Sequence, residues 1–223
     1  MCIRDSTCTA PCFTDDFTRA DSSSVGNGWS VVGEYVGTTS CGASCSQRAS
    51  ISGNALAISE SGSLTFGCGC PRPPFVARSL PHGFPVTLRV DYTATRDMRV
   101  VTTLGLATNT TGGGLTGIEI NRSSASYSNS GIALSRNGVY VQSISAPIQW
   151  TNASPIRLTV TINADGSMSG SAVQGGTTVP ISAGAGTLPS GLDFAILSDS
   201  GNVSYDYFST TMSVLFDNFA ACP

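Results

Sequence analysis

Apolar residues recur at every second position along much of this chain, and that period leaves few architectures open. In the stretch VTLRVDY, Val86, Leu88, Val90 and Tyr92 fall on one face and Thr87, Arg89 and Asp91 on the other. In IRLTVTIN, Ile156, Leu158, Val160 and Ile162 alternate with Arg157, Thr159 and Thr161, and GIEIN sets Ile118 and Ile120 against Glu119 and Asn121. Side chains of a strand point to opposite faces in turn, so each stretch reads as a strand with one face in a core. No long stretch shows the 3.6-residue apolar period of a helix. Two hairpins stand out. IALSRNGVYVQS turns at Asn137-Gly138, a pair suited to a type I′ turn, and VTINADGSMSGSAV turns over Asn163–Gly166. In the first, Leu134 is expected opposite Val141 on the core side, which turns Tyr140 and Gln142 outward. Further strands are expected around Phe17, Trp29–Val36, Leu56–Ser59, Leu64–Gly67, Val101–Leu106, Val179–Ile181, Phe194–Leu197 and Val214–Phe219. Many short strands with turn signals between them predict an all-β antiparallel sandwich or barrel.

A chain of 223 residues is long enough for one substantial core. No apolar run approaches the roughly 18 residues of a membrane-spanning helix, so no membrane span is expected. All eleven basic residues are Arg, the net charge is −3, and only 11% of residues are charged. A chain without lysine has no Schiff-base chemistry. Without a basic patch, no nucleic-acid partner is expected.

Eight cysteines, at positions 2, 8, 12, 41, 45, 68, 70 and 222, are many for a reducing compartment. Cys41 and Cys45 with Cys68 and Cys70 would offer four thiolates to zinc, but the C-x-C half departs from structural zinc spacing. Disulfides in an oxidising compartment are the expectation, with no metal and no cofactor. The opening MCIRDS has neither an apolar h-region nor a small-residue cleavage site. Back-translated, it resembles the end of a transposase adapter used in sequencing libraries. Residues 1–14 are therefore expected to be adapter read-through and linker tail on a metagenomic fragment, and residues 15–223 a single domain. The export signal is expected to have been lost upstream.

DDFTRADSSSVGNGWSV, then ISGNALAIS, the central GIEI, IRLTVTINADGSMSGSAV and the late VLFDNFAA together resemble the concanavalin A-like lectin/glucanase superfamily. The likeness is nearest to the laminin-G-like jelly-roll modules of bacterial secreted and surface proteins, and it covers about residues 15–220. It implies an antiparallel jelly-roll β-sandwich with Trp29 in the core and the last strand beside the first. It also implies a disulfide from Cys222 to Cys12 or Cys8, leaving Cys41, Cys45, Cys68 and Cys70 to pair among themselves. Antiparallel pairing of the end strands is expected to set Cys12 and Cys222 at opposite ends unless the tails fold back.

Glucanases of this superfamily carry an E-x-D-x-x-E strand that aims two carboxylates into the cleft, as a retaining hydrolase requires. This chain has three glutamates, Glu34, Glu60 and Glu119, far apart in sequence, and Glu119 is followed by Asn121 and Ser123. No catalytic residue is therefore assigned, and Glu119 is not expected to be a nucleophile. Asp91 on another strand would be a distant partner at best. His82, the single histidine, has no G-x-S-x-G serine to partner it and reads as an exposed loop residue. Gly112-x-Gly114-x-x-Gly117 precedes a strand, so it lacks the helix N-terminus of a dinucleotide site. Asp165 reads as a turn, not a calcium ligand. Sequons at Asn109, Asn121, Asn152 and Asn202 are expected by chance in so Ser/Thr-rich a chain.

Carboxylate and amide groups take sugar hydroxyls, and aromatic faces stack on sugar rings. On these grounds Glu119, Asn121, Tyr140 and Gln142 are candidate sugar-binding residues, with Trp150 at the rim. The reading is an extracellular glycan-binding or adhesion module, part of a larger multidomain protein, whose partner is a glycan or cell-surface polysaccharide. The alternatives are a secreted polysaccharide-cleaving enzyme of the same fold, hydrolase or lyase, and a purely structural cell-surface module.

Overall fold

The computed structural model describes residues 12–38, 44–63, 74–80, 82–94, 100–122, 131–145, 150, 154–201 and 209–223. The expected strand at Leu64–Gly67, the adapter-like hexapeptide, and Cys2, Cys8, Cys41, Cys68 and Cys70 lie outside them. Among the described residues sixteen strands form two antiparallel sheets. The first sheet contains β1 (Phe13–Asp15), β3 (Tyr35–Thr38), β4 (Ser44–Ser52), β5 (Ala55–Ser63), β7 (Val86–Ala94), β12 (Ile156–Ile162), β13 (Met168–Gln174), β14 (Thr177–Ala183) and β16 (Ser209–Cys222). The second contains β2 (Ser30–Val32), β6 (Phe75–Ser79), β8 (Val100–Ala107), β9 (Thr116–Arg122), β10 (Gly131–Arg136), β11 (Val139–Ser145) and β15 (Phe194–Gly201). Their orders are β14-β13-β12-β7-β16-β5-β4-β3, with β1 on β16, and β11-β10-β9-β8-β15-β6-β2. The sheets stack as a sandwich and do not close into a barrel.

The period-two residues make the interface between the sheets. Leu88, Val90, Leu158, Val160, Val214 and Phe216 from one sheet meet Leu104, Leu106, Ile118, Ile120, Ile132 and Leu134 from the other, all fully buried. Each such side chain contributes about 1.5–3 kcal/mol by leaving water. Both expected hairpins are present. Asn137 (φ 52°) and Gly138 (φ 74°) take the two positive φ angles that a type I′ turn demands.

Two strand expectations are corrected. Phe17 is not in a strand: it follows β1 in a left-handed conformation (φ 53°), and β1 starts at Phe13, ahead of the expected domain start. The stretch Trp29–Val36 divides between β2 and β3, which join different sheets. β4 and β6 were not foreseen, because small residues (Ala49, Ala77) and polar ones (Gln47) occupy positions where a core would show large apolar side chains.

The sequence DDFTR turns out to be a clasp around one carboxyl. Asp15 Oδ1 accepts the Phe17 N–H at 2.8 Å and Arg19 Nη1 at 2.9 Å. Its Oδ2 accepts Arg19 Nη2 at 3.1 Å, Asn27 Nδ2 at 2.9 Å and the indole Nε1 of Trp29 at 2.9 Å. Burial alone would raise the Asp15 pKa, but these donors hold it below its ordinary value. Trp29 is buried as expected, edge-on to Phe219 of the last strand with ring centroids 5.1 Å apart.

A disulfide joins Cys12 to Cys222, with Cα atoms 4.3 Å apart. The expected obstacle to it is corrected. In antiparallel pairing the start of one strand meets the end of the other, and the register Phe13↔Ala221 carries Cys12 straight to Cys222 without any folding back. Cys45 is buried and also disulfide-bonded.

Candidate glycan-binding cleft

β9 sits between β10 and β8, and its alternation sends Ile118 and Ile120 into the core and Glu119 and Asn121 to the outer face. Glu119 lies in register with Ala133 and Thr103, and Asn121 with Gly131 and Val101. The hairpin of β10 and β11 forms the adjoining wall. Arg136, at its turn, donates from Nη2 to the carbonyls of Gly166 at 2.7 Å and Gly184 at 2.5 Å. That bridge ties the turn end of the hairpin to loops of the nine-stranded sheet.

The hairpin's register differs from expectation. Ser135 pairs with Tyr140 and Leu134 with Gln142, so Val141 is an extra residue in a β-bulge. Tyr140 keeps to the outer face. Gln142 shares the side of Leu134 and lies outside the cleft, which corrects its assignment as a sugar-binding residue. The bulge puts Ser143 in its place, in register with Ala133 and beside Glu119. Trp150 is corrected too: it is 4% exposed, packed into the central core, and offers no rim surface.

Glu119, Asn121 and Tyr140 therefore come together, with Val101, Ala133 and Ser143, around a cleft of about 330 Å³. The Tyr140 hydroxyl donates to Glu119 Oε2 at 2.8 Å. The buried Ser135 hydroxyl adjoins the same carboxyl and favours its charge, although it falls short of full hydrogen-bond geometry. Burial pushes the Glu119 carboxyl above its ordinary pKa, against the opposing pull of Tyr140 and Ser135. Its hydrogen bond to the carboxylate pushes the Tyr140 hydroxyl up to about 12. Tyr140 is 64% exposed, so the bond holds in place an aromatic residue that solvent reaches. Asn121 Oδ1 is buried with no hydrogen-bond partner, and a buried acceptor left unpaired costs about 1–3 kcal/mol.

Other candidates lie elsewhere. Asp91 is on the other sheet, where its carboxylate accepts Arg157 Nε at 2.7 Å and Nη2 at 2.9 Å, so it is no partner for Glu119. His82 is not a free loop histidine: its Nε2 donates to the Leu192 carbonyl at 2.6 Å. Gly112 and Gly114 lie in the loop leading into β9. Asp165 accepts the Ser167 N–H at 2.9 Å within its turn. Among the described residues no cluster of His, Cys, Asp and Glu could hold a metal.

This strand order, with the last strand beside the first, is that of a concanavalin A-like jelly roll. No protein-family model matches the chain, and no curated protein matches it. Solved structures do. A prokaryotic β-1,3-1,4-glucanase (lichenase) from a mouse hindgut metagenome superposes with a TM-score of 0.62 at 12% identity, covering 95% of this chain and 98% of that one. The carbohydrate recognition domain of Emp47p gives 0.58 at 11% identity, with 98% of both chains covered. Lectin UEA-II, solved with galactose, gives 0.51 at 12% identity over 96% of this chain and 99% of that one. At such identities the likeness shows the fold, and the fold hosts both glycoside hydrolases and lectins.

Proposed function

We propose that this protein is an exported bacterial glycan-binding module whose ligand lies in the Glu119–Asn121–Tyr140 cleft, on a domain spanning about residues 12–223 of a larger protein. The observation that carries this reading is the grouping of the Glu119 carboxylate, Asn121 and the exposed Tyr140 around one cleft. A sugar hydroxyl would donate to the Glu119 carboxylate while the sugar's apolar face covers Tyr140. The disulfide between Cys12 and Cys222 fits an oxidising, extracellular setting. Glu119 is the one carboxylate among the described residues lining the cleft, whereas the usual glycoside hydrolysis mechanism uses a pair.

A second reading, a secreted hydrolase or lyase, is favoured by the raised pKa of Glu119, a property of general acids. One pair of measurements separates the two. Glycan-array binding by the purified protein is expected together with no release of reducing ends from the bound polysaccharides. Turnover that falls by several orders of magnitude in Glu119→Gln while binding persists would establish the enzyme instead.

A further inference from the structure

The unmet acceptors on the cleft wall are the carboxylate oxygens of Glu119, one of which serves Tyr140. Among the described residues lining the cleft there is no Arg or His, and the chain has no lysine to reach in from elsewhere. Three of the described arginines are engaged away from it. Arg19 binds Asp15, Arg157 binds Asp91, and Arg136 binds backbone carbonyls. A hydroxyl-bearing sugar brings protons to these acceptors. A uronate or sulfate ester brings lone pairs and a second negative charge, next to a half-buried carboxylate with no cation among the described lining residues to mediate. Like charges beside a half-buried carboxylate repel more strongly than in open water.

Building on the glycan-binding reading, we propose that the cleft selects glycans free of negative charge and that Glu119 sets this selectivity. The amide of Glu119→Gln still accepts the Tyr140 hydroxyl, so this change removes the charge and leaves the aromatic platform anchored.

The test is calorimetric titration, above neutral pH, with soluble neutral glucan and mannan oligosaccharides and with the same chains oxidised at C6 to uronates. The wild-type protein is expected to bind the oxidised chains at least about tenfold more weakly. In Glu119→Gln that ratio is expected to fall to about threefold or less. High salt is expected to shrink the wild-type ratio, because charge discrimination is screened and shape discrimination is not. Equal or tighter wild-type binding of the oxidised chains overturns the proposal, as does a ratio unchanged by salt. A ratio unchanged in Glu119→Gln removes Glu119 from the role. Each of these leaves the glycan reading standing. Binding of neither form overturns that reading and the proposal with it.

Discussion

Glu60 and Asp15 are both buried carboxyls, and they are expected to give opposite pH dependences. Glu60 points into the core from β5 beside Gln47, and burial outweighs the Gln47 hydrogen bond to push its pKa up to about 7. A folded-state pKa above the ordinary 4.5 means that the native protein holds this proton more tightly than the unfolded chain does. Stability is then greatest below pH 4.5 as far as this group is concerned. It falls between 4.5 and 7 by roughly 3 kcal/mol, and stays lower above that. Glu60→Gln should abolish that slope, which urea midpoints at pH 5 and pH 8 will show; an unchanged slope would place the effect elsewhere. Asp15 runs the other way, its contribution present above its ordinary pKa and lost as pH falls through the depressed one. Asp15→Ala strips partners from Arg19, Asn27 and Trp29 together and should cost about 3 kcal/mol in chemical denaturation. The sequence motif around Asp15 was visible, but its meaning was not, because donors up to fourteen residues away converge only once the chain turns.

At the scale of the element, the long strands were legible because large apolar residues alternate without a break in β7, β9 and β12. β4 was not, since its inward side chains are Cys45, Gln47, Ala49 and Ile51 and only the last is a large aliphatic. The cleft was legible as far as alternation alone could carry it, to Glu119, Asn121 and Tyr140. It failed one residue further on. A bulge at Val141 leaves no mark in composition, yet it moves Gln142 off the outer face and brings Ser143 onto it. Trp150 was misplaced because turn-like neighbours say nothing about where an indole packs. Glycan affinity should therefore be indifferent to Gln142→Ala, within about twofold, and abolished by Ser143→Trp, whose ring fills the cleft. Titration of both variants with a bound glycan from the array decides it, and a large loss in Gln142→Ala would contradict this register. Next to the cleft, Gly105 and Gly117 face each other across β8 and β9, and a Cβ on Gly117 would stand 2.3 Å from the Leu104 carbonyl oxygen. Gly117→Ala should destabilise by about 2 kcal/mol or more, measured as a drop in thermal midpoint.

For the molecule as a whole, β16 is the strand on which the nine-stranded sheet depends, pairing with β5, β7 and β1 along its fourteen residues. The disulfide locks its end to the start of β1 and closes a loop of sequence separation 210. In the chain-entropy model a closure of that length stabilises by about 4–5 kcal/mol. Replacing both Cys12 and Cys222 by Ser should lower the melting temperature by on the order of 10 °C. The same bond governs how the protein carries a mechanical load. Tension applied through residues just outside Cys12 and Cys222 crosses from one sulfur to the other and never enters the sheets, so the sandwich and its cleft stay slack while the tether is pulled. Only after reduction would force unzip β1 and β16 and pay out roughly 700 Å of chain.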